Sequence, residues 1–400
     1  MPGHYFNRFT TASQFTDSYV KHISQLSMTS ASGWGFDHLL ACRVVVREAR
    51  QQILPILSPY SKSSDTMGPV EIVKFVDGPD YLHFEKSEHS LVRDFGYSIS
   101  LAQTWAALAA FKGNRDFQRT QQSIDASNSD DGSHSGLQDS DSDFPMDIDS
   151  DGDNDARTSA RPARERKTNQ NPAFVHSGEM QVASSSPHAA SSHSASSTGH
   201  IDGAEQKLRA TVEDDTLRLV SCAIRHVLYF GAPQDCNDMS DVVEFRDLKL
   251  RATNIVQSIG KPIKATDDGG LCLRVRDEDN FILTNDRVAI LEAKRFHALE
   301  DGKPTISDRS LAQMTCEALL ARISDSKSGD DVIVIHATQH YICFLQFNIT
   351  EEYLRDFGSP SPSSCITVVA TPWYDLSSVS NRRQVVLNLC ALMRWGGANK

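Results

Sequence analysis

The sequence contains no run of about 18 or more apolar residues, so it predicts no helix long enough to span a membrane. Its first residues, MPGHYFNRFTTASQF, lack the charged and then apolar layout of a secretory signal peptide. The 8 cysteines are scattered singly, with no Cys-x-x-Cys pair and no Cys/His group at zinc spacing. These absences predict an intracellular protein, nuclear or cytoplasmic, whose cysteines are reduced and mostly buried.

Positive charge is also scarce, since 40 Lys and Arg stand against 52 Asp and Glu and give a net charge of −12. The acidic excess is local, because ten Asp and no Lys or Arg lie between Asp130 and Asp155. The rest of the chain is close to neutral. The composition therefore excludes a basic surface over the whole chain, although it is compatible with a local nucleic-acid-binding patch.

Composition divides the chain of 400 residues into three parts, of which the middle part is the most distinct. Residues 119–205 have few large apolar side chains and pass from the acidic stretch into a basic cluster and a Ser/His/Ala tract. Such a segment buries too little surface to offset its ordering entropy, so we predict a long disordered linker. Within it, Ser140 and Ser142 are candidate phosphorylation sites, and Arg161–Lys167 is a candidate signal for a nuclear import receptor.

Residues 1–118 are expected to form a small α+β region of unknown role, either as a separate domain or packed on the C-terminal half. Apolar residues at 39–46 predict a strand or the start of a buried helix. The segment 71–86 predicts two short strands around a Gly-Pro turn, and 100–111 predicts a helix. This part of the sequence contains no recognisable group of catalytic residues.

Residues 206–400 have a more legible pattern, which predicts an α/β domain with one mixed sheet flanked by helices. The polar residues Thr284–Asp286 separate two predicted strands and indicate the turn of a hairpin. Apolar periodicity predicts helices at 212–230, 240–259, 308–323 and 382–395, and strands at 271–276, 280–283, 288–291, 332–336, 341–347 and 366–370.

The segment EDNFILTNDRVAILEAKRF carries charged residues at the ends of two of these strands. Side chains alternate across a strand, so Glu292 and Lys294 point to the same face. If the two strands pair through the predicted turn, Asp279 lies at the same end as Glu292. We therefore expect two carboxylates and an ammonium group in one site, where the backbone carbonyl of Ala293 can add a further ligand.

This grouping suits metal-assisted hydrolysis of a phosphodiester. Two carboxylates bind a hard cation such as Mg²⁺, or Mn²⁺ in its place, and the ion keeps several waters. The cation polarises the phosphoryl oxygens and lowers the pKa of a bound water. Lys294 would then orient that water or stabilise the charge that develops in the transition state.

The arrangement resembles the PD-(D/E)XK nuclease superfamily over residues 240–395, and its LEAKRF and AQMTCEALL segments are most similar to the fungal branch. The core of that family is helix, strand, strand, strand, helix, strand, with Asp at the start of the second strand and (Glu/Asp)-x-Lys on the third. The resemblance implies a restriction-endonuclease-like fold and nucleic acid, DNA or RNA, as the substrate. It also implies that Asp279, Glu292 and Lys294 are the catalytic residues.

The resemblance implies two further site residues on the helices that flank the predicted strands. Glu244 lies on the preceding predicted helix, where many members place an additional acidic metal ligand. Gln313 lies on the following helix, where several branches place a Gln near the site. Because Gln313 is also part of an apolar stripe, it either faces the site or is hydrogen-bonded within the core. The Pro of the family pattern is replaced here by Glu278.

Several assignments have alternatives. Asp277 or Asp286 can replace Asp279 as a metal ligand, although Asp is common in turns for geometric reasons alone. Glu292 and Lys294 can instead form a surface ion pair at a strand end. Four other residues admit both a functional and a structural interpretation, namely the candidate phosphate contacts Lys261 and Lys264 and the strand-flanking His336 and His340.

A rival interpretation is a nuclease fold without catalysis that serves as an interaction or nucleic-acid-binding module. Residues 207–400 hold 23 Lys and Arg against 26 Asp and Glu, whereas binding to a nucleic-acid backbone favours a basic face. A third class is a regulatory scaffold whose working part is the 119–205 segment. The sequence does not define the oligomeric state. A nuclease would depend on a few local cations, such as Lys294, Arg295, Arg382 and Arg383.

Overall fold

A computed structural model describes ten stretches of the chain, residues 4–15, 21–27, 30–111, 203–236, 239–256, 260–294, 298–300, 303–325, 329–359 and 363–398. The predicted linker lies outside these residues except for 203–205, which begin a helix. Its candidate phosphorylation sites and its candidate import signal therefore also lie outside the described residues.

The described residues form a mixed α/β structure. The helices are α1 (Tyr5–Arg8), α2 (Phe36–Ala41), α3 (Val70–Asp77), α4 (Glu88–Arg93), α5 (99–111), α6 (Gly203–Phe230), α7 (Asp308–Ser324), α8 (Glu351–Asp356) and α9 (Val379–Ala398). The strands are β1 (Val44–Glu48), β2 (Asp241–Arg246), β3 (Arg251–Val256), β4 (Lys261–Thr266), β5 (Gly270–Asp277), β6 (Asn280–Lys294), β7 (Ala298–Glu300), β8 (Lys303–Thr305), β9 (Asp331–Thr338), β10 (Tyr341–Asn348), β11 (Ile366–Ala370) and β12 (Tyr374–Asp375).

An 8-stranded sheet has the order β1-β11-β10-β9-β6-β5-β2, with β12 paired to β10. The strands β2, β5 and β6 are antiparallel neighbours, and β6 runs parallel to β9. A parallel step requires a crossover connection, and the chain between β6 and β9 contains α7. The C-terminal ends of β6 and β9 consequently lie side by side. The hairpins β3–β4 and β7–β8 stand outside this sheet.

Apolar side chains cover both faces of the sheet. Leu291 and Ile335 belong to a core that also contains side chains of α3, α5, α6 and α9. Ile290 and Val334 belong to a second core, on the other face, with side chains of α7 and of the N-terminal region. Because side chains alternate along a strand, the even-numbered residues at the C-terminal ends of β6 and β9 lie on the α7 face.

The N-terminal region contributes strand β1 to this sheet. Of the two arrangements that the sequence left open, a separate domain or packing on the C-terminal half, the structure has the second. Strand β1 pairs with β11 in parallel along its whole length. Hydrogen bonds strengthen the junction, since the Tyr5 N–H donates to Asp308 Oδ1 at 2.7 Å and the buried Tyr353 hydroxyl donates to the Cys42 carbonyl at 3.0 Å. Residues before 112 and after 202 therefore contribute to one sheet and to both of its hydrophobic cores.

The predicted strands at 71–86 are wrong, because α3 and a short 3₁₀ helix at Tyr81–Glu85 occupy this segment. Ile72 and Phe75 lie three residues apart and are both buried, as the inward face of a helix requires. In so short a segment the apolar pattern fits both periods. The predicted helix at 100–111 is confirmed as α5.

The predicted helix at 240–259 is also wrong, because this segment forms β2 and β3. It is rich in Val, Ile and Thr, which favour strands, and its apolar spacing matches a helix only in part. The predicted helix at 212–230 is confirmed as the C-terminal two thirds of α6, which begins earlier, at Gly203. The remaining predicted elements of the C-terminal half are confirmed to within a few residues, namely the helices at 308–323 and 382–395 and the strands at 271–276, 332–336, 341–347 and 366–370.

Residues 280–294 form one continuous strand rather than the two predicted strands. The hairpin of β5 and β6 turns at Glu278, whose φ of 54° is the left-handed conformation that tight two-residue turns use. The predicted turn, Thr284–Asp286, lies within β6 where the register with β5 shifts. A bulge accommodates extra residues in one strand, so the polar triplet interrupts the pairing without ending the strand.

Candidate active site

Glu292 follows the buried apolar residues of β6 and is itself 0% exposed. Its side chain lies on the α7 face of the sheet, next to Ile290 on β6 and beside His336 on β9. Removing an ionised carboxylate from water costs roughly several kcal/mol unless opposite charges and hydrogen bonds replace the water. A carboxylate at a position suited to an apolar side chain marks a candidate functional site.

Two side chains contact the Glu292 carboxylate. Lys294 lies two residues further along the same face of β6 and forms an ion pair with Oε1. Gln313 on α7 donates its Nε2–H to the same oxygen at 2.5 Å. The other oxygen, Oε2, is buried and has no hydrogen-bond partner among the described residues. The described residues therefore provide hydrogen-bond partners for only one of the two oxygens of this carboxylate.

Glu317 adds a second buried carboxyl group beside the first. It lies one helical turn after Gln313, whose Nε2–H also donates to Glu317 Oε1 at 3.0 Å. Within the part of the chain that the structure describes, Glu317 Oε2 is likewise buried without a partner. A single amide group thus links the carboxyls of Glu292 and Glu317.

Asp268 reaches the same place from the loop that precedes β5. Its Oδ2 accepts a hydrogen bond from the Ala293 N–H at 3.1 Å, and its own N–H donates to the Leu291 carbonyl at 3.1 Å. Its Oδ1 forms an ion pair with Lys249 Nζ at 2.9 Å. These contacts fix the buried carboxylate of Asp268 against the Glu292-Ala293-Lys294 segment.

A buried ion pair joins the two loops that meet at this site. Arg246, at the end of β2, donates from Nη1 and Nη2 to the Asp267 carboxylate at 3.1 and 2.8 Å. Asp267 also accepts a hydrogen bond from the Leu250 N–H at 2.8 Å. Gly269 has a φ of +136°, and a Cβ there would lie 2.9 Å from the Arg246 carbonyl oxygen, so only glycine allows this approach. The pair therefore positions the backbone that carries Asp268.

The carboxyl groups of the site have raised pKa values. Burial raises the pKa of Glu292 to about 8; the Lys294 ammonium opposes this shift and the Asp268 carboxylate adds to it. Burial, followed by the charge of Glu292, raises the pKa of Glu317 well above its usual value. Such groups hold protons near neutral pH and release them when a cation binds.

The two lysines of the site keep their charge. Burial lowers the pKa of Lys294, but the carboxylates of Glu292, Asp268 and Glu213 together raise it by more. Burial likewise lowers the pKa of Lys249, and Asp268 is the main carboxylate that raises it above its usual value. The end of β6 therefore combines several carboxyl groups with two ammonium groups.

His336 lies beside Glu292, in register with it on β9. Burial lowers the pKa of His336 to about 4, so the imidazole is neutral at pH 7. The ring nitrogen Nδ1 lies 3.0 Å from the Glu292 backbone carbonyl, which can only accept, so Nδ1 carries the proton and donates it. This histidine holds the backbone of β6 in place at the site.

Asp279 is not part of this cluster. It lies at the turn of the β5–β6 hairpin, at the opposite end of β6 from Glu292. At about 3.3 Å per residue, the intervening strand separates the two residues by roughly 30–40 Å. The prediction that Asp279 and Glu292 share one end of a hairpin is wrong. Asp277 belongs to the same distant turn, since it pairs with Asn280.

The other predicted carboxylates also lie elsewhere. Glu244 is on strand β2 rather than on a helix, and it accepts a hydrogen bond from Arg274 Nε at 2.6 Å. Asp286 lies in the irregular part of β6, where its backbone carbonyl accepts from Arg246 Nε at 3.0 Å. The structure therefore brings together Glu292, its neighbours in the Glu-Ala-Lys triplet and Gln313, but none of the predicted aspartates.

The cations and histidines named from the sequence have varied positions. Lys261 donates to the Ser24 carbonyl at 2.9 Å, which is a structural contact. Arg382 is buried and donates to the backbone carbonyls of Val76 and Asp77 at the end of α3. His340 is buried with its Nε2 3.6 Å from Asp375 Oδ1. Lys264 and Arg383 are exposed, and Arg295 lies outside the described residues.

Sequence reasoning missed four residues of this cluster. For Asp268 a signal was present, because the sequence Asp-Asp-Gly-Gly directly precedes an apolar strand and its glycines permit close backbone packing. Glu317 lies four residues after Gln313 and hence on the same face of a helix. Lys249 had no distinctive pattern. Glu213 was obscured by the two acidic residues that follow it directly in α6.

The described residues contain no group of three or more His, Cys, Asp and Glu side chains arranged to hold a metal ion. Mg²⁺ needs less than this, since one or two carboxylates with several waters suffice. Asp268 and Glu292 supply two carboxylates at one place, and no described residue donates a hydrogen bond to Glu292 Oε2. The donor set therefore fits a hard divalent cation, with the Ala293 carbonyl as a further oxygen.

Comparison of the chain with protein-family models and with curated protein sequences finds no match. Among the described helices, none is both long and apolar enough to cross a bilayer.

Proposed function

We propose that the protein hydrolyses phosphodiester bonds in nucleic acid with the help of Mg²⁺ or Mn²⁺, through a PD-(D/E)XK-like site. The observation that carries this proposal is the contact between the Asp268 carboxylate and the Ala293 N–H at 3.1 Å. It joins an aspartate at the start of one strand to the Glu-x-Lys triplet at the end of the next. Asp268, Glu292 and Lys294 are the residues we assign to the site, and Asp268 takes the place first expected for Asp279.

The order of elements supports the same proposal. The series α6, β2, β5, β6, α7, β9 has the order helix, strand, strand, strand, helix, strand, with the β3–β4 hairpin inserted after β2 and the β7–β8 hairpin inserted after β6. The three strands form an antiparallel meander, and the last one is parallel to β9. This order of elements is the one that the resemblance to the nuclease superfamily implies for a restriction-endonuclease-like core.

The residues of the site supply complementary groups for this chemistry. Asp268 and Glu292 would hold the cation through carboxylate oxygens, and Gln313 and Lys294 fix the orientation of the Glu292 side chain. A bound divalent cation would polarise the phosphoryl group and make a coordinated water more acidic. The ammonium group of Lys294, 20% exposed at the edge of the cluster, is placed to orient water and to stabilise negative charge that develops on the phosphate.

A cleavage assay with the full chain tests the proposal. Single-stranded and double-stranded DNA and RNA would be incubated with Mg²⁺, Mn²⁺ or EDTA, for wild type, Lys294→Ala and Glu292→Gln. The matched control is Asp279→Asn, which changes the predicted carboxylate at the distant hairpin turn. We expect cation-dependent cleavage by wild type and by Asp279→Asn, and a loss of at least about 100-fold in the two site variants, as removal of a transition-state contact produces.

Equal activity in wild type and Lys294→Ala would overturn the catalytic assignment. Binding of nucleic acid without cleavage under any cation would instead favour the rival interpretation, a nuclease fold that serves as a binding module.

A further inference from the structure

The segment that connects the two halves of the candidate site is basic. Residues 249–266 contain Lys249, Arg251, Lys261 and Lys264 but no Asp or Glu. They lie within residues 207–400, where 26 acidic residues outnumber 23 basic ones. The β3–β4 hairpin and the residues just before it are thus locally positive, although this half of the chain carries a net negative charge.

One face of the hairpin is buried and the other is open to solvent. Ile263 and Ala265 are buried in the core that contains α7, so the alternating neighbours on β4 point outward. Thr253 lies opposite Lys264 in the antiparallel register and shares its face. The outward side chains, which we call the hairpin face, are Arg251, Thr253, Ile255, Pro262 and Lys264, and all are exposed.

Arg251 and Lys264 are the cations of this face. With about 6.6 Å between alternate residues and about 5 Å between strands, their Cα atoms lie roughly 8 Å apart. Among the described residues, no carboxylate forms an ion pair with either side chain. Lys261 is excluded from the face, because its Nζ donates to the Ser24 carbonyl at 2.9 Å and ties the hairpin to the N-terminal region.

Both ends of the hairpin are anchored at the candidate site. Before β3, Lys249 contacts Asp268 at 2.9 Å, and the Leu250 N–H donates to Asp267 at 2.8 Å. After β4, Asp267 and Asp268 follow Thr266 directly. The hairpin face therefore adjoins the carboxyl cluster, and the buried Arg246–Asp267 pair keeps the two in a fixed relation.

Exposed apolar side chains accompany these cations. Leu248 is 69% exposed just before Lys249, and Ile255 is 63% exposed on the hairpin face. Surfaces that bind a nucleic-acid strand combine cations along the backbone with apolar contacts to sugars and bases. The composition of the hairpin face matches this combination.

We propose that the hairpin face binds the phosphate backbone of a nucleic-acid strand and leads that strand into the candidate active site. The inference rests on the proposed function, because it names the surface by which the same site holds its substrate. Arg251 and Lys264 contact phosphates away from the cleaved bond, and Lys249 lies between them and Asp268. The hairpin face would thus attract a polyanion even though residues 207–400 carry a net negative charge.

Binding measurements with the full chain test this. Fluorescence anisotropy of labelled single-stranded and double-stranded oligonucleotides, DNA and RNA, would be recorded in EDTA at several salt concentrations. The variants are Arg251→Glu with Lys264→Glu, and Arg251→Gln with Lys264→Gln. The matched control is Lys86→Glu with Arg93→Glu, two exposed cations just before and at the end of α4, which packs through Leu91 on the opposite face of the sheet.

We expect the charge-reversal hairpin variant to bind at least about tenfold more weakly at moderate salt. The slope of log Kd plotted against log salt concentration should also fall by about 1.5, because two phosphate contacts are lost. The Gln variant should show a smaller loss in the same direction, and the control should bind like wild type. Cleavage of bis(p-nitrophenyl) phosphate should be unchanged in the hairpin variants, because this small diester does not reach Arg251 or Lys264.

Unchanged affinity and salt slope in the hairpin variants would overturn the inference. Binding of labelled polyglutamate would be measured in the same way. If the hairpin variants lost polyglutamate binding but kept oligonucleotide binding, the inference would also be overturned, since the hairpin face would then bind an acidic polypeptide. Cleavage separates this inference from the proposed function. A wild type that cleaves, with hairpin variants that bind and cleave normally, overturns the hairpin inference alone. A wild type that binds through the hairpin face but cleaves nothing overturns catalysis and supports the hairpin inference.

Discussion

Lys249 and Asp268 form an ion pair at 2.9 Å, in which the carboxylate is 4% exposed and the lysine side chain 48% exposed. The ammonium group therefore reaches a buried carboxylate from the solvent side. Under the proposed function a divalent cation would approach Asp268 from this same side, so Lys249 and the cation would compete for the Asp268 carboxylate.

Replacing Lys249 with Gln should strengthen the binding of Mn²⁺ severalfold, because the cation no longer displaces an ammonium group. Nucleic-acid cleavage should nevertheless decrease, since the Lys249 ammonium group, which would face the substrate phosphates, is lost. Titration calorimetry with Mn²⁺ measures the first effect, and a cleavage assay at saturating Mn²⁺ measures the second. Unaltered Mn²⁺ affinity would show that Lys249 does not compete at the cation site.

Glu292 should make the stability of the metal-free protein depend on pH. Its pKa is about 8 in the folded chain, against an ordinary value of 4.5, so the folded state binds the extra proton between these pH values. The free energy of unfolding therefore falls as pH rises through this window. For a shift of this size the contribution is on the order of a few kcal/mol.

Glu292→Gln removes the titrating group, so its free energy of unfolding should fall less steeply with pH than that of wild type. Urea unfolding in EDTA from about pH 5 to about pH 8 measures the slope. Glu352→Gln, at an exposed position on α8, is the matched control and should follow wild type. Parallel curves for wild type and Glu292→Gln would mean that Glu292 is ionised throughout this range.

The N-terminal region should be required for folding of the C-terminal half. Without residues 1–111, strand β11 loses its partner β1, and the core on the α7 face loses buried side chains such as Tyr5, Trp34 and Val45. We expect a 203–400 fragment to be poorly soluble alone and to form a soluble complex when co-expressed with a 1–111 fragment. Size-exclusion chromatography with circular dichroism checks this. A cooperative thermal transition in the isolated 203–400 fragment would contradict it.

The sequence predicted the elements whose pattern has one period over many residues. The helix at 308–323 is confirmed because its apolar residues keep helical spacing over several turns, and the strands at 332–336 and 341–347 are confirmed because their β-branched and aromatic residues favour strands. The segment 240–259 was assigned wrongly because a short β-rich stretch with a polar interruption also fits a helical spacing. A tertiary contact stabilises the observed strands of this segment, since the buried Arg246 guanidinium donates to the Asp267 carboxylate.

The site was predicted in part for a related reason. The triplet at Glu292–Lys294 is local, so strand alternation alone placed its two charged side chains on one face. Its partner Asp268 depends on which residues form the hairpin turn, and a bulge at Thr284–Asp286 resembles a turn in sequence. Because the turn was predicted at the wrong residues, the predicted pairing of β5 with β6 was also wrong. The prediction therefore placed Asp279, rather than Asp268, beside Glu292.

The central claim is that Asp268 and Glu292 bind one divalent cation between them. Mn²⁺ titration calorimetry of the full chain, with wild type, Asp268→Asn and Asp279→Asn measured side by side, tests it most directly. The account predicts one Mn²⁺ site in wild type and in Asp279→Asn, and an affinity reduced at least about tenfold in Asp268→Asn, since one of two carboxylate ligands is lost. Equal Mn²⁺ affinity in wild type and Asp268→Asn, or a loss in Asp279→Asn alone, would contradict it.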